Sequence, residues 1–134
     1  MKDIIPVIVA VIENSEERML LLKRSPNNNW APNLWNVVTG KIEEGEVPVE
    51  AALREIREEV ALPVSLQEEY ARYDVDYDGK IWRTYAFRFS TDHADPILND
   101  EHVDFAWVMP QELASFDIVP IMLEDLRQIQ YGAV

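Results

Sequence analysis

The chain has 134 residues, a length typical of one domain, and 48% of them are hydrophobic, which is enough to form a core. Its 25 acidic residues outnumber its 12 basic ones, so the formal net charge is −13. This charge argues against general binding to nucleic acids or acidic membrane surfaces, because both are polyanions that repel it. The chain has no cysteine, which excludes disulfides, thiol nucleophiles and thiolate metal sites.

We expect a single domain over residues 1–134. The first residues lack the basic and apolar regions of a signal peptide, and no apolar run reaches the length that crosses a membrane. These features predict a cytoplasmic protein without a membrane partner. A protein this acidic can still act on an anionic small molecule, provided that a bound metal ion reverses the charge locally.

The first part of the chain predicts three strands. Residues 4–12 are nearly all apolar and mostly β-branched, which is typical of a strand buried on both faces. After a polar turn, residues 18–24 predict the second strand of a hairpin. Residues 25–33 contain two prolines and four asparagines and predict a loop. Residues 34–39 then predict a short strand that leads to Gly40.

The later part of the chain predicts three more strands and a terminal helix. Its clearest turn signal is Asp78-Gly79, a typical hairpin pair. The predicted elements are a strand over residues 64–77, its partner over 80–89, a loop over 90–101, a strand over 102–109, a short helix from Pro110 and an amphipathic helix within 119–131. With a helix in between, the order β-β-β-α-β-β-β-α predicts an α+β domain with helices on both sides of a mixed β-sheet.

The intervening helix carries three glutamates. At about 100° per residue, Glu55, Glu58 and Glu59 share one face, and Ala51 and Ala52 on or beside that face are small enough to leave room above the acids. A separate stripe must pack on the core; it consists of Val49, Leu53, Ile56 and Val60. Pro48 suits the first turn of this helix, and Pro63 prevents much continuation beyond Leu62.

Acids at these spacings repel one another by a few tenths of a kcal/mol per pair. A cation between them would remove the repulsion, and oxygen ligands suit Mg²⁺ or Mn²⁺. A solvated acidic helix face is the ordinary alternative. The residues around the three acids are therefore needed to decide between a metal site and a solvated face.

The spacing of those residues resembles the signature of the Nudix hydrolase family. The matching segment spans residues 40–62, and its defining positions are Gly40, Glu46, Arg54, Glu55, Glu58 and Glu59. The resemblance implies a pyrophosphohydrolase with an α/β/α sandwich, which cleaves nucleoside diphosphates linked to another group and uses a divalent metal ion. One position departs from the pattern, because Ala61 stands where the family usually has glycine.

Ala61 bears on stability and loop shape, and we do not interpret it as lost activity. Glycine at a helix exit usually supplies a left-handed backbone, in which alanine costs about 1 kcal/mol. The other possibility is that the helix leaves by another route before Pro63. Neither case removes a ligand side chain.

The resemblance also implies roles for individual residues. Glu58 and Glu59 are the first-choice metal ligands, Glu55 shares or orients that role, and the backbone carbonyl of Gly40 is a further ligand. Arg54 is spaced to hold the Glu58 carboxylate in position, and Glu46 reaches Arg54 in a similar way.

The general base stays open between the helix glutamates and Glu101, which precedes a strand and resembles a family glutamate that binds metal or activates water. We interpret His102 as a strand-edge histidine and not as a ligand.

Substrate recognition is less well marked. Lys41, Arg24 and Arg83 are candidates for phosphate contacts, and Trp35 or Trp30 for stacking on a base. The segment from Val38 to Glu46 looks similar to the dihydroneopterin triphosphate or dATP pyrophosphohydrolase subgroup.

Several alternatives remain open. The substrate could instead be ADP-ribose, a nucleotide sugar or a dinucleoside polyphosphate, and a non-catalytic ligand-binding domain is a further alternative. Family members often form homodimers, but no feature of this sequence marks an interface.

Overall fold

The computed structural model describes residues 1–92 and 95–132, so positions 93 and 94 of the predicted loop 90–101 lie outside the described residues. Eight strands and two α-helices are present in this part of the chain, and a 3₁₀-helix precedes the second α-helix. They are β1 (Ile4–Glu13), β2 (Met19–Arg24), β3 (Trp35–Asn36), β4 (Val38–Lys41), α1 (Pro48–Glu59), β5 (Ser65–Glu69), β6 (Tyr73–Tyr77), β7 (Lys80–Ser90), β8 (His102–Val108), the 3₁₀-helix (Pro110–Ser115) and α2 (Pro120–Gln128).

The strands form one mixed sheet. Its main path runs β3-β2-β1-β7-β5, while β4 pairs with β1, β6 pairs with β7 and β8 pairs with β2. Only the long β1–β7 pair is parallel among these strand pairs, and the others are antiparallel. The predicted mixed sheet flanked by helices is therefore confirmed.

Two core clusters lie on opposite faces of this sheet. Along β1, Ile8 and Ile12 face one cluster and Val9 and Val11 face the other, as the two-residue period of a strand requires. α1 covers the first cluster through residues such as Ile56, and α2 covers the second through Met122 and Leu126. The prediction that this strand is buried on both faces is confirmed from Ile8 to Ile12.

Two predicted strands are each divided in the structure. The predicted strand over residues 34–39 is two short strands, because β3 pairs with β2 whereas β4 pairs with β1. The predicted strand over residues 64–77 is β5 and β6, which pair with different parts of β7. In both cases the apolar pattern continues while the pairing partner changes.

The two small residues of α1 lie on its core side. Ala51 and Ala52 are fully buried in the first core cluster. Their small size lets α1 lie close against the sheet. The buried side of α1 thus extends further toward the acidic face than its stripe of larger apolar residues indicates.

Two turns depend on left-handed backbone. Asp78 and Gly79 have φ of 53° and 73°, and they join β6 to β7 as the predicted hairpin turn, with Tyr77 paired to Lys80. At the exit of α1, Ala61 has φ 53°, so this chain keeps the left-handed exit with alanine in place of glycine.

No helix in residues 1–92 or 95–132 is long and apolar enough to cross a membrane.

We expect Ala61→Gly to raise the free energy of unfolding by about 1 kcal/mol, because glycine adopts this φ without the strain that a Cβ introduces. Urea unfolding followed by circular dichroism measures the change. Ala71→Gly is the matched control, since Ala71 is exposed and outside the left-handed region. An equal effect of both substitutions, or a loss of stability in Ala61→Gly, would show that the backbone at Ala61 is not strained.

Candidate active site

The guanidinium of Arg54 is the centre of an ion-pair network on the loop and helix between residues 40 and 59. Its Nε and Nη2 donate to the two oxygens of Glu46 at 2.8 and 3.0 Å. Nη1 donates to Glu55 Oε1 at 2.9 Å and to Glu58 Oε2 at 3.3 Å. Nη2 also donates to the backbone carbonyl of Lys41 at 3.1 Å, which ties the helix to the end of β4.

This network fixes the charge states of Arg54 and Glu46. The hydrogen bonds from Arg54 lower the pKa of Glu46 to about 2, so this carboxylate is ionised throughout the neutral range. The Glu46 hydrogen bond in turn raises the pKa of Arg54, despite partial desolvation. Arg54 is therefore always positively charged when it donates to Glu55 and Glu58.

Glu59 lies in a different environment from its two neighbours. Its side chain is only 4% exposed, while that of Glu58 is 54% exposed. Among the described residues, Glu59 Oε2 has no hydrogen-bond partner. Burial raises the pKa of Glu59 well above its usual range, and Glu55 and Glu101 nearby raise it further. Glu59 is thus a buried carboxylate that Arg24 compensates only in part, through an electrostatic interaction.

The loop before β8 brings Glu101 and His102 to Glu59. One ligand atom from each of these three residues lies within 4.8 Å of the others. The loop is held to the end of α1, because Asn99 N–H donates to the Glu59 carbonyl at 3.3 Å. Burial, and next the nearby Arg24, lower the pKa of His102 to about 4, so its imidazole is neutral at neutral pH.

A cleft of about 340 Å³ opens beside this acidic cluster. Its lining includes two tryptophans, Trp30 and Trp82, and the buried polar side chains of Asn36, Thr84 and Asp125. The cleft is walled by β1, β3, β4, β7 and α2, by the end of β2 and by the β6–β7 turn. An aromatic and partly polar cleft of this size can accept a flat heterocycle.

The cleft and the acids meet at Gly40, Lys41 and Arg24, which line the cleft. A Cβ on Gly40 would overlap the carboxyl group of Glu55, so glycine is needed here for close approach. Arg24 stacks on the Trp30 ring at 4.9 Å and interacts electrostatically with Glu101 and Glu59. A ligand in the cleft can therefore extend toward the acidic cluster.

Two of the predicted substrate residues lie elsewhere. Arg83 pairs with Asp74 on β6 at 3.1 Å and is not part of the cleft lining. Trp35 packs edge-on against Phe116 at 5.1 Å in the second core cluster. The structure brings Arg24 and Lys41 to the cleft but leaves Arg83 and Trp35 outside it.

Sequence reasoning missed Trp82, Asp125 and the proximity of His102 to Glu59. Trp82 alternates with its neighbours on β7 and carries no local signal that marks a cleft. Asp125 did carry a sequence signal, because it is an acid within the predicted amphipathic helix. In the structure it is only 4% exposed. It accepts a hydrogen bond from the Tyr73 hydroxyl at 2.8 Å, and burial raises its pKa to about 7.

The donor set fits a divalent cation. Carboxylate oxygens converge from α1 and from the loop before β8, and the buried Glu59 Oε2 has no protein partner among the described residues. Arg54 and Arg24 supply two positive charges against the carboxylates of Glu46, Glu55, Glu58, Glu59 and Glu101. The remaining negative charge favours a cation at this site.

The fold and the site together define a hydrolase whose acids lie on a loop and helix beside a mixed sheet. The NUDIX domain model matches residues 4–128, and the chain belongs to the Nudix hydrolase family.

Two relatives align with this chain over most of their own length. The CTP pyrophosphohydrolase of Escherichia coli is 28% identical over 116 residues, with 87% of this chain and 84% of that protein covered. The nucleoside triphosphatase NudI of Salmonella paratyphi B is 32% identical over 122 residues, with 83% and 86% covered.

Solved structures show the same fold. A MutT protein from Methanosarcina mazei superposes with a TM-score of 0.76 at 25% identity, covering 95% of this chain and 92% of that one. The E. coli dihydroneopterin triphosphate pyrophosphohydrolase gives a TM-score of 0.69 at 22% identity, covering 98% and 100%.

We expect Gly40→Ala to reduce hydrolytic turnover by about 10- to 100-fold, the range seen when a supporting group at a metal site is lost. The new Cβ would displace the flexible end of Glu55 while the backbone stays in place. Steady-state assays measure turnover, and thermal unfolding measures the fold. Glu55→Gln provides the comparison, and unchanged turnover in Gly40→Ala would show that the close approach is unimportant.

We expect Asp125→Asn to remove a pH dependence of stability. Its carboxyl has a pKa of about 7 in the folded protein and about 3.8 when unfolded, so the folded state binds the extra proton. The stabilisation that this proton gives the folded wild-type protein is therefore lost as pH rises from 4 to 7. Over that range, the free energy of unfolding of the variant should rise by up to about 4 kcal/mol relative to that of wild type.

Urea unfolding at several pH values measures this gain. Asparagine can still accept the Tyr73 hydrogen bond. The same substitution at exposed Asp117 tests whether the loss of any negative charge is sufficient. A constant difference between Asp125→Asn and wild type from pH 4 to 8 would contradict the assignment.

Proposed function

We propose that this protein is a divalent-cation-dependent pyrophosphohydrolase that cleaves nucleoside triphosphates and releases pyrophosphate. The observation that carries the proposal is the buried, unpaired Glu59 carboxylate facing Glu55 and Glu101 beside an open aromatic cleft. The names of two relatives, a CTP pyrophosphohydrolase and a nucleoside triphosphatase, support a triphosphate substrate.

Glu55, Glu58, Glu59 and Glu101 would hold Mg²⁺ or Mn²⁺, together with the backbone carbonyl of Gly40. A divalent cation in this place neutralises charge on phosphoryl oxygens and promotes attack by water on phosphorus. No serine or cysteine nucleophile is required, because positioning and charge stabilisation supply most of the catalysis in phosphoryl transfer.

Side chains of the protein would orient the acids, contact the phosphates and accept a proton from water. Arg54 keeps Glu55 and Glu58 oriented through its short hydrogen bonds, and Lys41 and Arg24 at the cleft rim would contact the phosphates. The general base would be Glu55 or Glu101, since each lies beside Glu59 and can accept a proton from water.

The cleft would hold the base of the nucleotide. Trp30, already stacked by Arg24, and Trp82 offer aromatic faces, while Asp125 and Asn36 offer polar groups to the edges of a base. Gly40 joins this cleft to Glu55, so a base bound here would direct its phosphates toward the acids. This arrangement favours a nucleotide over an unsubstituted polyphosphate.

We expect Glu59→Gln to lower pyrophosphate release by at least about 100-fold without lowering the free energy of unfolding. The substitution would remove a metal ligand and also a buried charge that has no partner among the described residues. The assay is release from a panel of nucleoside triphosphates, pterin triphosphate, ADP-ribose and dinucleoside polyphosphates, with Mg²⁺ or Mn²⁺.

Glu50→Gln is the matched control, because Glu50 is an exposed acid on the same helix. It should retain wild-type turnover. Equal release by wild type and Glu59→Gln would favour a non-catalytic ligand-binding domain. Release from ADP-ribose or a dinucleoside polyphosphate alone would replace the triphosphate assignment.

A further inference from the structure

His102 contributes a nitrogen atom to the acidic cluster, and the inference drawn from it rests on the proposed function. Its Nε2 lies 3.7 Å from Glu59 Oε1, and both side chains are more than nine-tenths buried. One ligand atom from each of Glu59, Glu101 and His102 lies within 4.8 Å of the other two. The nitrogen is therefore placed among the oxygens that would bind the cation.

The hydrogen bonds of Asn99 fix which ring nitrogen of His102 carries the proton. The Oδ1 atom of Asn99 accepts the backbone N–H of Glu101 at 3.2 Å, which identifies it as the amide oxygen. His102 Nδ1 lies 3.4 Å from the same oxygen. Since an amide oxygen only accepts, Nδ1 must be the donor, and in the neutral ring Nε2 then has a free lone pair.

That lone pair faces the Glu59 carboxylate, of which one oxygen has no hydrogen-bond partner among the described residues. Nε2 and Glu59 Oε1 are both acceptors, and their separation of 3.7 Å is too long for a hydrogen bond through a shared proton. The second oxygen, Glu59 Oε2, has no hydrogen-bond partner in the described part of the chain. Buried acceptors in this situation are normally satisfied by an ion or a donor.

The spacing of these atoms allows both to reach one ion. Two atoms that each bind an ion at about 2.1 Å can lie at most about 4.2 Å apart. The separation of 3.7 Å between Nε2 and Oε1 is below this limit. A histidine that binds a metal through one ring nitrogen usually donates the N–H of the other to an oxygen acceptor, as Nδ1 of His102 does here.

We propose that His102 Nε2 is a ligand of the metal centre together with Glu59 and Glu101, and that it makes the centre select Mn²⁺ over Mg²⁺. Mg²⁺ prefers oxygen ligands and binds nitrogen poorly, while imidazole binds first-row transition ions more readily. The loop is held to the helix through Ile97 N–H and the Val60 carbonyl at 2.8 Å, which keeps the nitrogen close to Glu59.

Pulsed electron paramagnetic resonance of the 134-residue protein with one equivalent of Mn²⁺ tests this proposal directly. Wild type should show coupling of Mn²⁺ to a ¹⁴N nucleus, and labelling histidine with ¹⁵N should change that signal. His102→Gln should lose the signal and bind Mn²⁺ at least about 10-fold more weakly, while Mg²⁺ affinity changes by less than about 3-fold. His93→Gln, at the only other histidine of the sequence, is the control and should keep both properties.

The outcomes separate this inference from the proposed function. Bound Mn²⁺ without nitrogen coupling in wild type overturns the ligand role of His102 and leaves a cation-dependent hydrolase intact. Equal losses of Mn²⁺ and Mg²⁺ affinity in His102→Gln overturn the selectivity. A folded wild-type protein that binds neither ion overturns both proposals. The ¹⁵N measurement on His93→Gln, in which His102 is the one remaining histidine, decides the ligand role even where His102→Gln fails to fold.

Discussion

The placement of one guanidinium among several carboxylates determines the form of the whole site. Arg54 bonds Glu46, Glu55 and Glu58 within 3.3 Å and reaches the end of β4 through the Lys41 carbonyl. Carboxylates this close would otherwise repel one another, and the chain as a whole has a net charge of −13. By holding three acids at its donors, Arg54 gives the loop and the helix a fixed relation to the sheet.

One acid of α1 does not bond to Arg54, and this acid, Glu59, lies where α1 meets the core. Glu59 is buried near the end of the helix, and an unpaired buried carboxylate destabilises a fold by several kcal/mol unless it is protonated or bound to a cation. The next turn of chain carries a second unfavourable feature, the left-handed Ala61. Both are consistent with a segment in which the requirements of a binding site outweigh local stability.

The sequence predicted the helix, the hairpins and the mixed sheet because these depend on local periodicity and turn chemistry. Helical periodicity placed Glu55, Glu58 and Glu59 on one face, but it could not show that Glu59 is buried while Glu58 is exposed, since this depends on what packs against α1. His102 was left out for the same reason, because its neighbour Glu59 lies on a distant part of the chain. Trp35 and Arg83 were predicted to bind substrate because of their residue types. In the structure, Trp35 packs against Phe116 and Arg83 forms an ion pair with Asp74.

The positions of the cleft and the acids separate two properties that the family signature does not distinguish. The acids and Arg54 come mainly from one continuous segment, so a motif can indicate the chemistry of cleavage. The cleft is lined mainly by side chains on β1, β3, β7 and α2, which lie outside the motif segment 40–62, and that segment contributes only Gly40 and Lys41 to the lining. Relatives that share the motif can therefore differ in the bases they accept, and in this chain the choice would depend on Trp30, Trp82 and Asp125. Gly40 is the point where the two parts touch, and its lack of a side chain leaves the space that the Glu55 carboxyl group occupies.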